Sequence, residues 1–301
     1  MEKINLKVLF LAILACFLWS TAVVAVKFGL NFVKPISFAG LRFILAGLLL
    51  IPFCGKLFFF IKTIKSNIKL ILTLSLFQTF LAYSFFYIGM TMVSGATGAI
   101  IIGASPLSAV ILAHFFMEDD KINLSKAIGV SIGIIGVIIL SIKYPWNLNG
   151  LKELFGILIL IFSMTFTSLG NIIVSKKKNN INPFMLNSSQ MFIGGVFLLL
   201  ISIPFEGIPD IKQPLGFYLS LLWLSFISAI AFSIWFLLLQ MPDVKVSELN
   251  IWKFIIPVSG AILSWIILPN EYPDIISVIG MFCVGISIII SNFSKILIPF
   301  F

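Results

Sequence analysis

Lys253 lies seven residues into an apolar run that begins near Val246, roughly 10 Å along a helix axis. An ionisable group inside such a span costs about 2.5–3.5 kcal/mol on insertion scales, so each one is a functional candidate. Asn250 and Pro257, three residues before and four after, share its helical face. Pro257 also frees the carbonyl of residue 253 from its helical partner. An ammonium beside a freed carbonyl and an amide suits an anionic or zwitterionic solute. The competing reading is a lysine that snorkels to the headgroups.

Other residues could share this work. Glu248 stands at the same helix start, where a carboxylate complements the helix dipole or, with a raised pKa, couples protons. His114, the chain's one histidine, lies near the end of another span, as an interfacial anchor or a proton relay. Arg42 is six residues inside its span, where a structural ion pair or a headgroup contact is expected. Trp19 and Ser20 sit mid-span, Tyr83 and Tyr87 share one helical face, and Ser168 and Asn171 share another. Trp235 lies deep and Trp252 adjoins Lys253, completing the candidate solute pathway. Tryptophans near span ends are ordinarily interface belts, and an amide such as Asn171 also serves as a bond between helices.

These residues do not point to catalysis. A membrane enzyme acting on lipids or isoprenoids, the alternative class, needs acidic or histidine clusters for metal or phosphate. The one acidic cluster, Glu118-Asp119-Asp120, falls in a short lysine-containing loop and reads as a solvated connector. Cys16, Cys54 and Cys283 lack paired spacing, so neither a disulfide framework nor a metal site is expected. There is no phosphate-binding loop, and no cofactor is expected.

The elements that must position these side chains are membrane helices. Hydrophobic residues make up 60% of the chain and charged ones 10%, against about 25% charged in soluble domains. Ten stretches satisfy the roughly 20-residue requirement for a span. They run about 8–26, 36–55, 69–89, 94–116, 124–142, 154–174, 184–204, 215–239, 246–268 and 274–293. The first resembles a signal peptide, but its length fits a span and it is kept as one. The net charge of +9 sits on short loops, which speaks for headgroups and against nucleic acid. Thirteen of the twenty basic residues fall on one side of this arrangement and five on the other, which places both termini in the cytoplasm. A multi-pass location in the cytoplasmic membrane is expected.

The spans are also duplicated. Pro35, Arg42 and Gly47 recur as Pro183, Gln190 and Gly195 at an offset of 148. Pro106, Asp120 and Gly129 recur as Pro257, Glu271 and Gly280 at 151. An odd number of spans per copy inserts the second copy upside down, as in alternating-access transporters. The expected fold is all-α, ten helices in two inverted five-helix repeats, 1–143 and 144–301. Small residues at Gly129, Gly133 and Gly136, and at Gly280 and Gly285, predict close packing of the fifth and tenth helices, either with each other or across a homodimer.

Trp19-Ser20, Lys27, Pro35 and Arg42 resemble the start of an EamA repeat of the drug/metabolite transporter superfamily. Ser94-Gly-Ala-Thr-Gly-Ala-Ile through Ser105-Pro106 to Glu118 is similar to the repeat's second part. Lys245-Val-Ser-Glu-Leu-Asn-Ile-Trp-Lys253 through Pro257 to Glu271 resembles its counterpart in the second repeat. The resemblance implies ten helices, a central cavity between halves, and movement of small organic solutes. Two departures stand out: Gln190 takes the place of Arg42, and Thr167 or Ser168 that of Trp19. The resulting expectation is a secondary transporter of a small organic metabolite, an exporter or exchanger of amino acids or related compounds.

Overall fold

A computed structural model describes residues 6–118, 120–142, 148–177, 181–210, 212–241, 244 and 246–291, and among these the chain is helical without a strand. The helices are α1 (Leu6–Gly29), α2 (Pro35–Cys54), α3 (Leu57–Ser66), α4 (Ile68–Met90), α5 (Gly95–Phe116) and α6 (Leu124–Ile142). Then follow α7 (Leu148–Lys176), α8 (Pro183–Glu206), α9 (Leu215–Gln240), α10 (246–267) and α11 (Ile275–Ser291). Seven of the described helices are long and apolar enough to cross a membrane, and shorter apolar helices occupy Leu124–Leu140, Ile255–Ile267 and Ile275–Ser287. Polarity is distributed inside out. Phe10 and Ile266 are 65% and 75% exposed, whereas Asn187 and Gln190 are wholly buried.

Helices at matching places in the two copies pack against each other antiparallel. The most extensive contact joins α2 and α8. Gly195 lies against the backbone of Ile44, Gly47 against that of Phe192, and Gly40 against Leu199. The Ser188 hydroxyl donates to the Gly47 carbonyl at 2.8 Å, so small residues and a serine let the backbones approach. α6 and α11 pair likewise, with Gly136 against Cys283 and Gly280 against Leu140. Gly133, Gly136 and Gly280 thus serve contact within one chain, whereas a Cβ at Gly285, expected to join them, would meet nothing within 4 Å.

Three helices depart from regular winding, two of them beside a proline. α4 widens to a π-helix over Ser75–Leu81, which carries Gln78 and Thr79 inward. α5 breaks at Ala104, two residues before Pro106, whose ring cannot donate a backbone bond. α10 tightens to a 3-10 turn at Ile251–Phe254 just before Pro257. The paired prolines thus mark paired breaks, and the second sets Lys253 in a tight turn. That turn also changes the regular helical spacing assumed for Asn250 and Lys253.

Two connectors differ from expectation. Residues 57–66, read as a loop between spans, form α3. Its Phe60 is buried while Leu57, Phe58 and Phe59 are exposed among lysines, the chemistry of a helix lying at a membrane surface. Asp120, read as part of a solvated connector, is 3% exposed and forms a salt bridge with buried Lys126. A carboxylate so buried needs a partner, and Lys126 on α6 supplies it. Asp119 lies outside the described residues.

Candidate functional site

A cavity of about 80 Å³ lies where α1, α2, α4 and α5 of the first half meet α7, α9 and α10 of the second. Its lining includes Trp19, Arg42, Gln78, Tyr83 and Ser105 from one half, with Thr167, Asn171, Phe232, Trp235 and Lys253 from the other. A larger recess of about 600 Å³ is lined almost wholly by aliphatic and aromatic groups, with Ser108 as its hydroxyl. Only the first cavity gathers charge.

Lys253 is 4% exposed, which removes the snorkelling alternative. Its Nζ stands 4.9 Å from the Trp235 ring centroid and 5.7 Å from that of Trp19. The two indoles meet edge to face at 5.0 Å. Cation–π contacts of this kind contribute about 0.5–2 kcal/mol each. Together they contribute an amount comparable with the cost of an ammonium at this depth.

Arg42 corrects an expectation. In place of an ion pair or a headgroup contact, its side chain is 1% exposed and bonds neutral groups. Nε donates to the Ser228 hydroxyl at 2.8 Å and Nη1 to the Tyr87 hydroxyl at 3.1 Å. The guanidinium carbon lies 5.0 Å from the Phe43 ring centroid and 5.4 Å from that of Tyr83. The physical reason is the shortage of acids: no carboxylate among the described residues lines the cavity. A guanidinium there takes hydroxyls and ring faces instead.

Four lining side chains carry buried polar atoms with no hydrogen-bond partner. These are the indole nitrogens of Trp19 and Trp235 and both amide atoms of Gln78 and Asn171. Buried polar groups are nearly always bonded, so this convergence needs an explanation. Polar groups of a solute, or water, are partners of the kind these atoms lack. Phe232 bridges the aromatic wall, 5.2 Å from Trp19 and 6.1 Å from Tyr83.

The remaining candidates fall elsewhere. The Ser20 hydroxyl donates to the Cys16 carbonyl and accepts from Ser259, tying α1 to α10 outside the cavity lining. Ser168 reaches the Ser105 carbonyl at 3.4 Å. Asn250 donates to the Val246 carbonyl and does not line the cavity, and Trp252 packs beside the core. Tyr87 acts on the cavity through Arg42. His114 sits at one end of the bundle, where its Nδ1 accepts from the Ile122 amide at 3.2 Å. The side chain of Glu248 lies outside the described residues. Pro106 starts the second part of α5, and Pro257 packs on Gly103. Gly129 is buried on α6.

Gln78 and Phe232 were missed from sequence. Gln78 had a usable signal, an amide in the middle of an apolar span. Phe232 had none, being one of 32 phenylalanines.

Comparison with known proteins adds the context. The model of the EamA-like transporter family matches twice, over residues 6–142 and 154–293. The uncharacterised transporter YoaV of Bacillus subtilis is 24% identical over 92% of this chain and 94% of its own. An uncharacterised transporter of Acidianus ambivalens is 28% identical over 83% of this chain and 92% of its own. A WAT1-related protein of Arabidopsis thaliana, described as chloroplastic, is 26% identical over 93% of this chain and 68% of its own. A crystal structure sharing 14% identity superposes with a TM-score of 0.69 over 96% of this chain and 98% of that one, a likeness of fold alone.

Proposed function

The chain belongs to the EamA-like transporter family, and from that premise we propose that it carries a small organic metabolite across the cytoplasmic membrane by alternating access. It is a multi-pass membrane protein, and its relatives are named transporters, not enzymes. The proposed architecture is two inverted five-helix repeats, 1–143 and 144–301, with both termini in the cytoplasm. Two observations support it: the double family match and the antiparallel pairing of α2 with α8 and of α6 with α11.

The observation that carries the reading is the cavity between the halves, with six unpartnered polar atoms and two buried cations. Lys253, Trp19, Trp235, Tyr83 and Asn171 are the proposed contacts, and Arg42 joins them. Tyr87, Ser20, Ser168, Asn250 and Trp252 support the contacts from behind. Rocking of one half against the other would open the cavity to each side in turn. The cargo belongs to the small organic acids, a class that spans amino acids and related compounds. His114 stands apart from the cavity and carries no part of this path.

Reconstitution into proteoliposomes tests the proposal. Saturable exchange of a small organic acid without chemical conversion is expected, reduced at least about tenfold in Lys253→Ala. Unaltered uptake kinetics in that variant would remove Lys253 from the path. Chemical conversion of the solute without transport would replace the transporter with an enzyme.

A further inference from the structure

The charge of the cavity narrows the cargo beyond the transport reading on which this inference rests. Arg42 and Lys253 come from opposite halves and line the same small volume. Neither meets a carboxylate among the described residues, and the salt bridge found among them, Lys126–Asp120, involves other groups. Arg42 engages two of its five N–H donors, and Lys253 faces the rings of Trp19 and Trp235. A cation in a low-dielectric site that lacks a counter-charge is incomplete, because hydroxyls and rings recover only part of the lost hydration.

We infer that the site takes small organic anions bearing a carboxylate and no ammonium group, with the two cations as the selecting charges. A carboxylate would supply the counter-charge that neither cation finds among the described residues. The ammonium of an amino acid would enter beside two like charges with no acid among the described lining residues to receive it, a repulsion that water screens poorly there. The unpartnered amides of Gln78 and Asn171 suit the neutral oxygen of an oxo or hydroxy acid. The indole and phenol walls suit its apolar remainder. Since the cations belong to different halves, an anion between them would also relieve the repulsion that opposes closure.

Two matched series test this: pyruvate, alanine and ethylamine, then phenylpyruvate, phenylalanine and phenethylamine. Within each series the carbon skeleton stays close while charge runs from anion through zwitterion to cation. For the purified protein, the oxo acid should raise the melting temperature at concentrations at least about tenfold below those its amino acid needs, with no effect from the amine. Flux in proteoliposomes should follow the same order. Lys253→Gln and Arg42→Gln should each weaken binding of the oxo acids about tenfold or more.

An amino acid or amine bound and carried as well as its oxo acid would overturn the inference and leave the transport reading standing. Oxo-acid binding with no flux of any of the six compounds would do the reverse. Failure of both oxo acids to bind or move would also overturn it. A ligand-free measurement closes the set. Lys253→Met should melt above the wild type, because it removes a buried charge that meets no carboxylate among the described residues. A lower melting temperature would make Lys253 a structural residue and defeat the proposal.

Discussion

Glu271, from the second half of the chain, accepts the backbone N–H groups of Gly95 at 2.6 Å and Ala96 at 3.0 Å. It thereby closes the first turn of α5 in the other half. Glu206 does the same for α2, accepting from Ile36 at 2.9 Å and Ser37 at 2.7 Å. The first N–H groups of a helix have no internal partner and carry the positive end of its dipole. Both carboxylates act at the same end of the bundle, so two charge-assisted caps join the halves there. Glu271→Ala should cost about 1–2 kcal/mol of stability, and Glu271→Gln less. Unfolding of Glu271→Ala at the wild-type temperature would show that the cap contributes nothing.

Gly195 and Gly285 offer a matched pair of substitutions. A Cβ at Gly195 would stand 2.6 Å from the Ile44 backbone nitrogen, whereas one at Gly285 meets nothing within 4 Å. Backbone cannot yield as a side-chain tip does, so Gly195→Ala should destabilise by about 1–3 kcal/mol. Gly285→Ala should be neutral or stabilising by up to about 1 kcal/mol, since alanine favours the helix. Comparing the two melting temperatures checks the α2–α8 contact directly. Equal values would mean that the helices are not so close.

Tyr87 holds Arg42 from behind the cavity. Tyr87→Phe keeps the ring contact with Phe38, 5.6 Å between centroids, and deletes the hydroxyl that accepts from the guanidinium. A bond to a charged group is worth about 1.5–3 kcal/mol, so stability should fall by an amount of that order. Arg42→Lys should impair transport more, because one ammonium cannot replace the planar fork that meets Ser228 and Tyr87 together. Uptake by Arg42→Lys at the wild-type rate would mean that only the charge matters.

Gln78 and Asn171 should show opposite effects on stability and on function. Their amides are buried without partners, so Gln78→Leu and Asn171→Leu should raise the melting temperature. Both should lower transport, since the two side chains line the cavity proposed to hold the solute. Lower stability with intact transport would assign these amides to packing.

Much of the fold was legible in the order of residues, for a physical reason. Apolar runs of span length must be helical in a bilayer, where every backbone polar group needs an internal partner. The repeated prolines and glycines marked helix breaks and close approaches, which depend on local sterics. Lys253 stood out because charge is rare in such runs. α3 did not stand out: its apolar and lysine residues are too closely mixed to differ from a span's flank.

Sequence alone determined the membrane class, the duplication and the place of Lys253 within an apolar run, all of which follow from composition and spacing along one chain. Tertiary structure decided what that lysine meets. Trp19 is far from Trp235 and Lys253 in sequence, and only the packing of α1 against α9 and α10 brings its indole to the ammonium that Trp235 also faces. The same packing turned Arg42 from an expected ion-pair residue into a buried cation held by Ser228 and Tyr87. No local pattern encodes those meetings, because which faces of the helices share a cavity is settled by backbone approach across the two halves.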